Sequence, residues 1–89
     1  MPTVSFTRAL QRFLAAPYAT VEGATVGDAL GAVLASRSTL RGYVLDDQGA
    51  LRRHVAVYVN GRAVADRRGL SDPVGPEDEI YVIQALSGG

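Results

Sequence analysis

The stretch that most constrains this chain is Val55-Ala56-Val57-Tyr58-Val59-Asn60-Gly61. Its strict alternation of β-branched residues predicts a strand with Val55, Val57 and Val59 on one face and His54, Ala56 and Tyr58 on the other. Asn60-Gly61 suits a tight turn whose two central residues both take positive φ, so the chain is predicted to fold straight back as a short strand over residues 62–65. A lone hairpin with one apolar face is marginal in water and needs a cover. The rest of the 89 residues must supply it, and with no cysteine among them the cover holds by packing alone. An apolar fraction of 47% is enough for that.

Thr25-Val26-Gly27-Asp28 begins the cover. Thr25 is positioned to cap free backbone amides, and the Asp28 carboxylate favours the positive end of a helix. Val26, Ala29, Leu30, Val33 and Leu34 recur at helical spacing, which predicts one helix reaching Ser36 or Arg37. Gly27 and Gly31 weaken it and are expected to allow close approach to a sheet. Further strands are predicted at residues 3–7, with Val4 and Phe6 inward, and at 18–22. A last strand at 79–86 should turn Ile80 and Val82 to the core and Tyr81 and Ile83 to the opposite side. Leu10, Phe13 and Leu14 suit a short helix or turn that Pro17 ends. Leu40, Tyr43, Val44 and Leu45 are expected to be buried in an irregular segment, and Asp46-Asp47-Gln48-Gly49 to form a turn. No further ligands follow those aspartates at the spacing of a calcium loop.

This order predicts an α+β fold: one main helix across a mixed sheet of four to five strands. The first and last strands can pair in parallel at its centre, because the intervening chain supplies the long crossover that parallel strands require. That is the order of the β-grasp, or ubiquitin-like, fold. Residues 1–85 form the expected domain, and Leu86-Ser87-Gly88-Gly89 a flexible tail. Without Cβ atoms on Gly88 and Gly89, such a tail is thin enough to thread a channel and present its carboxylate to another protein's active site.

Composition narrows the function. Nine arginines balance nine acidic residues, and there is no lysine. Neutrality argues against a nucleic-acid partner, which requires a basic footprint. Lack of a side-chain amine leaves the chain no acylation site of its own should its tail be activated; a coding bias toward arginine would produce the same composition. Without cysteine there is no thiolate metal site or iron–sulfur cluster. There is also no P-loop for ATP. Met1-Pro2-Thr3 does not open a secretory leader and no run reaches membrane-spanning length, so the expected location is the cytoplasm. The single histidine, His54, has no companion cysteine and reads as a sheet residue rather than a base. Arg52-Arg53 and Arg67-Arg68 read as solvated loop charge or as a docking patch for an acidic partner. Tyr58, Tyr81 and Ile83 are expected on one open sheet face, where they bind a partner or merely cover the sheet.

Several of these stretches together resemble the prokaryotic ubiquitin-like sulfur carriers (MoaD/ThiS-like). They are the capped helix from Thr25 to Leu30, the strand and turn from His54 to Gly61, Leu70, the run Gly75-Pro76-Glu77-Asp78-Glu79-Ile80, and Ser87-Gly88-Gly89. Leu51-Arg52-Arg53-His54-Val55 is most similar to the carriers of cysteine and methionine biosynthesis. Many members carry proline near the positions of Gln84 and Ala85, and this chain does not. The resemblance implies a carrier that is not itself an enzyme and binds no cofactor or metal. An E1-like enzyme using ATP and magnesium would adenylate the Gly89 carboxylate and convert it to a thiocarboxylate. A sulfur-accepting biosynthetic enzyme would then receive the sulfur. Gly88 would provide access and Leu86 an apolar anchor, with Ser87 between them in the partner's channel. Two alternatives are the small subunit of a molybdopterin-synthase-like complex and a ubiquitin-like modifier.

Overall fold

A computed structural model of the chain describes residues 1–11, 14, 18–35 and 37–84. In chain order the elements are β1 (Thr3–Phe6), α1 (Arg8–Gln11), β2 (Tyr18–Thr20), α2 (Val26–Leu34), α3 (Ser38–Val44), β3 (Val55–Val59), β4 (Arg62–Ala63) and β5 (Glu79–Gln84). The strands form one five-stranded sheet in the order β2-β1-β5-β3-β4. β1 and β5 pair in parallel at its centre, and every other pairing is antiparallel. This is the β-grasp topology that the strand order predicted.

Alternation decides what each strand buries. Val4, Phe6, Val55, Val57, Ile80 and Val82 point to the helices and are almost fully buried. Val26, Ala29, Leu30, Val33 and Leu34 of α2 meet them from the other side. Burying a side chain of this kind contributes about 1.5–3 kcal/mol, and no polar side chain interrupts the layer among the described residues. No helix of the described residues is long and apolar enough to cross a membrane.

The start of α2 is held by a local cap and by one distant loop. Thr25 Oγ1 accepts the Asp28 N–H at 3.1 Å, as its capping role requires. The N–H groups of Val26 and Gly27, which a helix leaves without internal partners, donate to the carbonyls of Asp72 and Leu70 at 2.9 and 2.8 Å. Leu70 takes φ +53 so that its side chain can be buried while its carbonyl faces α2. The expected close approach at Gly27 is therefore to this loop and not to the sheet: a Cβ there would lie 3.2 Å from the Leu70 carbonyl oxygen. A Cβ at Gly31 would meet none of the described residues beyond its own helix within 4 Å, so the expectation of close packing fails there.

Other expectations are corrected as well. Residues 38–44 are helical, because Leu40 and Val44 lie one turn apart and both reach the core. Tyr43 lies off that stripe and is 38% exposed, not buried. The strands are shorter than alternation suggested, with β2 ending at Thr20 and β4 at Ala63. Short edge strands leave less backbone open to unwanted pairing. Leu10 is buried and Leu14 packs against the core, while Phe13 and Pro17 lie outside the described residues. Asp46 does form the expected turn: its Oδ1 accepts the N–H groups of Gln48 and Ala50, and Gly49 takes φ +81.

Candidate functional site

The register that buries one face of the sheet assembles the other. Tyr18 on β2 stands opposite Ser5 on β1, Ser5 beside Tyr81 on β5, Tyr81 opposite Tyr58 on β3, and Tyr58 opposite Ala63 on β4. One row thus crosses the whole sheet. Neighbours in such a row stand about 5 Å apart, so the Tyr58 and Tyr81 rings are direct cross-strand partners. Ile83 extends the face one step along β5, opposite Ala56. Tyr18 and Tyr81 are 54% and 43% exposed, Tyr58 and Ile83 half-buried. Tyrosine suits a surface that must tolerate both water and a partner, since its ring is apolar and its hydroxyl polar.

Tyr58, Tyr81 and Ile83, which the sequence singles out, are thus brought together. Tyr18 is the member that sequence reasoning missed. Its strand was legible, but only the pairing of Ser5 with both Tyr18 and Tyr81 puts it in the row. Leu86, Ser87, Gly88 and Gly89 lie outside the described residues.

The hairpin turn is fixed to the start of β5. Asn60 and Gly61 take φ 50 and 83, as their turn type demands. Asn60 Nδ2 donates to Asp78 Oδ1 at 2.9 Å, and Asn60 Oδ1 accepts the Glu79 N–H at 2.9 Å. The Asp78 carboxylate also accepts the Gly75 N–H, and these bonds hold its pKa below the ordinary value, the Gly75 bond most strongly. A cleft between this turn and Tyr81 is lined by Ser5, Asn60, Gly61, Glu79, Ile80 and Tyr81.

Asp66 anchors the loop that reaches α2. Its carboxylate accepts the Ser71 hydroxyl at 2.6 Å and the N–H groups of Arg68, Gly69 and Ser71. Four donors, the Ser71 hydroxyl foremost, lower its pKa from 3.8 to about 2. This is a structural carboxylate whose acceptor sites are filled by its own loop. His54 is exposed just ahead of β3, and the described residues contain no group of acidic or histidine side chains arranged to hold a metal.

A family model described as the ThiS family matches residues 12–89. Small archaeal modifier protein 1 of Haloferax volcanii is 38% identical over 66 residues, which are 74% of this chain and 71% of that protein. Its crystal structure superposes with a TM-score of 0.83 at 30% identity, covering 99% of this chain and 98% of that one. A chain of the Amycolatopsis orientalis BexX/CysO complex superposes with a TM-score of 0.85 at 26% identity over the full length of both chains. Mycobacterium tuberculosis CysO gives a TM-score of 0.81 at 25% identity, covering 97% of this chain and all of that one. With this fold and these relatives, the chain belongs to the ThiS family of ubiquitin-like sulfur-carrier and modifier proteins.

Proposed function

We propose that this chain is a sulfur carrier whose Gly89 carboxylate, once it is a free end, is activated by an E1-like enzyme and converted to a thiocarboxylate. The observation that supports this best is the position of β5. It is the central strand, paired on both sides, and it ends at Gln84 just ahead of residues 85–89. A rigid strand that leads into a glycine-ended segment suits a carrier: the domain supplies a firm docking body and the segment supplies reach.

The division of labour follows from the chemistry. A carboxylate is a poor electrophile. Attack of a Gly89 carboxylate oxygen on the α-phosphorus of ATP expels pyrophosphate and gives an acyl adenylate. Sulfide then attacks the acyl carbon, AMP leaves with the carboxyl oxygen, and a thiocarboxylate remains. The ATP and magnesium are held by the activating enzyme, and the carrier contributes binding and orientation. In this reading Tyr18, Tyr58, Tyr81 and Ile83 form the docking face, and Leu86 anchors the tail at the channel mouth while Ser87 and Gly88 pass through it. The thiocarboxylate goes on to a sulfur-accepting biosynthetic enzyme, and the BexX/CysO complex, in which a structural neighbour is held by another protein, supports the idea of a protein partner.

The test is the intact mass after incubation with the activating enzyme of the same genome, ATP, magnesium and sulfide. A gain equal to replacing one oxygen by sulfur, absent when Gly89 is deleted, is the expected result; an unchanged mass in a folded protein overturns the reading. A second reading, a ubiquitin-like modifier, is favoured by the name of the Haloferax volcanii relative. There the acyl group passes to a lysine amine, and lysine-linked adducts in lysate, with no thiocarboxylate, would be its signature.

A further inference from the structure

Net neutrality conceals a separation of charge along β5. At the strand's exit, Gln84 stands opposite Val55 at the start of β3, and its N–H donates at 3.3 Å to Oγ1 of Thr7, the residue after β1. Arg8 follows Thr7 on one flank, and Arg52 and Arg53 precede Val55 on the other. Arg67 joins them from a distant loop, its Nη2 donating to the carbonyls of Arg52 and Val55 at 2.8 and 2.7 Å. Arg52 Nε in turn donates to the Gly42 carbonyl at 2.6 Å. The guanidinium groups of Arg52 and Arg67 are thus held by peptide carbonyls, and among the described residues neither is paired with a carboxylate. At the opposite end, Glu77, Asp78 and Glu79 lead into β5.

We propose that Arg8, Arg52, Arg53 and Arg67 form a cationic collar around the exit of β5 that docks on an acidic surface of a protein partner. Magnitudes support treating the collar as a local cation. The six residues of β5 span about 17 Å at strand rise, roughly twice the screening length of about 8 Å at physiological salt. The acidic end therefore does little to cancel the collar. Arginine suits the role because its planar fork pairs with carboxylates through two parallel bonds. A protein fits better than a nucleic acid. The four arginines cluster at one end instead of running along a face, and the acidic residues at the other end of β5 would repel phosphates extending past it. The collar also adjoins the open face at Ile83, so a partner can engage both together. Its identification as the protein that receives the tail rests on the carrier reading above.

The experiment compares three proteins, each shown by circular dichroism to be folded: the wild type, Arg8→Glu/Arg53→Glu, and Arg62→Glu. Arg8 and Arg53 are exposed, and Arg62 is an exposed arginine at the far end of the sheet. Binding to a fluorescein-labelled oligoglutamate peptide is read by anisotropy at low and high salt. We expect the double variant to lose about tenfold or more in affinity, the wild type to weaken with salt, and Arg62→Glu to stay within about twofold. Equal losses in the two variants overturn the collar, as does tighter binding of single-stranded oligothymidylate than of oligoglutamate. With the activating enzyme, the double variant should raise the KM for the carrier by a similar factor at unchanged kcat. An unchanged KM overturns the collar and leaves the carrier reading standing. A wild type that is never adenylated removes the carrier reading, and the oligoglutamate result alone then decides the collar.

Discussion

The two faces of the sheet are made from the same strands, one residue apart. On the covered face, Val4, Ile80, Phe6, Val82 and Val57 meet α2 and exclude water. On the open face, Ser5, Tyr81 and Tyr58 alternate with them and remain partly wet. The covered face consists of aliphatic and phenyl groups; the open one is built around tyrosine. A sheet needs only one apolar face to fold, so the other is available for recognition without cost to the core. A slip of one residue between β1 and β5 would exchange the two sets, which is why the burial of Ile80 also fixes where Tyr81 points.

The contrast can be broken most severely from the covered side. Ile80→Ala removes a fully buried group at the centre of the sheet and should cost about 2–5 kcal/mol, read by denaturant unfolding. A loss below about 1 kcal/mol would mean that the face is not packed as described. From the open side, the Tyr58→Ala/Tyr81→Ala double variant should leave unfolding within about 1 kcal/mol of the wild type. Under the carrier reading it should raise the KM for adenylation about thirtyfold, the equivalent of about 2 kcal/mol of docking. Large destabilisation with unchanged KM would reverse the roles assigned to the faces.

Smaller effects test the layer that makes the covered face covered. Thr25→Ala deletes the side-chain cap of α2 and should cost about 1 kcal/mol of stability by thermal or chemical unfolding. Gly31→Ala should stabilise by about 0.5–1 kcal/mol, because its Cβ meets nothing and alanine favours the helix. Smallest and most local is Asp66→Asn. The folded pKa of Asp66 lies below 3.8, so the stability its ionised form contributes is complete above that value and is lost as pH falls toward about 2. In the variant this part of the acid loss should be missing, and the stability curve from pH 4 to pH 2 correspondingly flatter. An identical acid limb would assign the loss to other carboxylates.

Much of this was legible in the chain alone. Val55, Val57 and Val59 alternate, Asn60-Gly61 demands a turn, and Thr25 with the apolar stripe behind it demands a helix. Tyr58, Tyr81 and Ile83 could be assigned to one face from the same alternation. Residues 38–44 were harder to read, since Gly42 and Tyr43 obscure a stripe of only two core residues, Leu40 and Val44. The purpose of Gly27 was also hidden, because the atom that approaches it belongs to Leu70.

Sequence by itself determined the elements other than α3 and, Tyr43 apart, their wet and dry sides, because helix caps, turn conformations and alternation depend on residues within a few positions of one another. It also set the neutral charge and the absence of any side-chain amine. Tertiary structure decided which elements became neighbours. It aligned Tyr18 with Tyr81 through Ser5, drew Arg67 to the carbonyls of Arg52 and Val55, and set the Asp66–Asp72 loop against the start of α2. These contacts join residues far apart in sequence, and no local preference encodes them. They follow from closing one apolar layer around a central parallel pair, a condition that only the whole chain can satisfy.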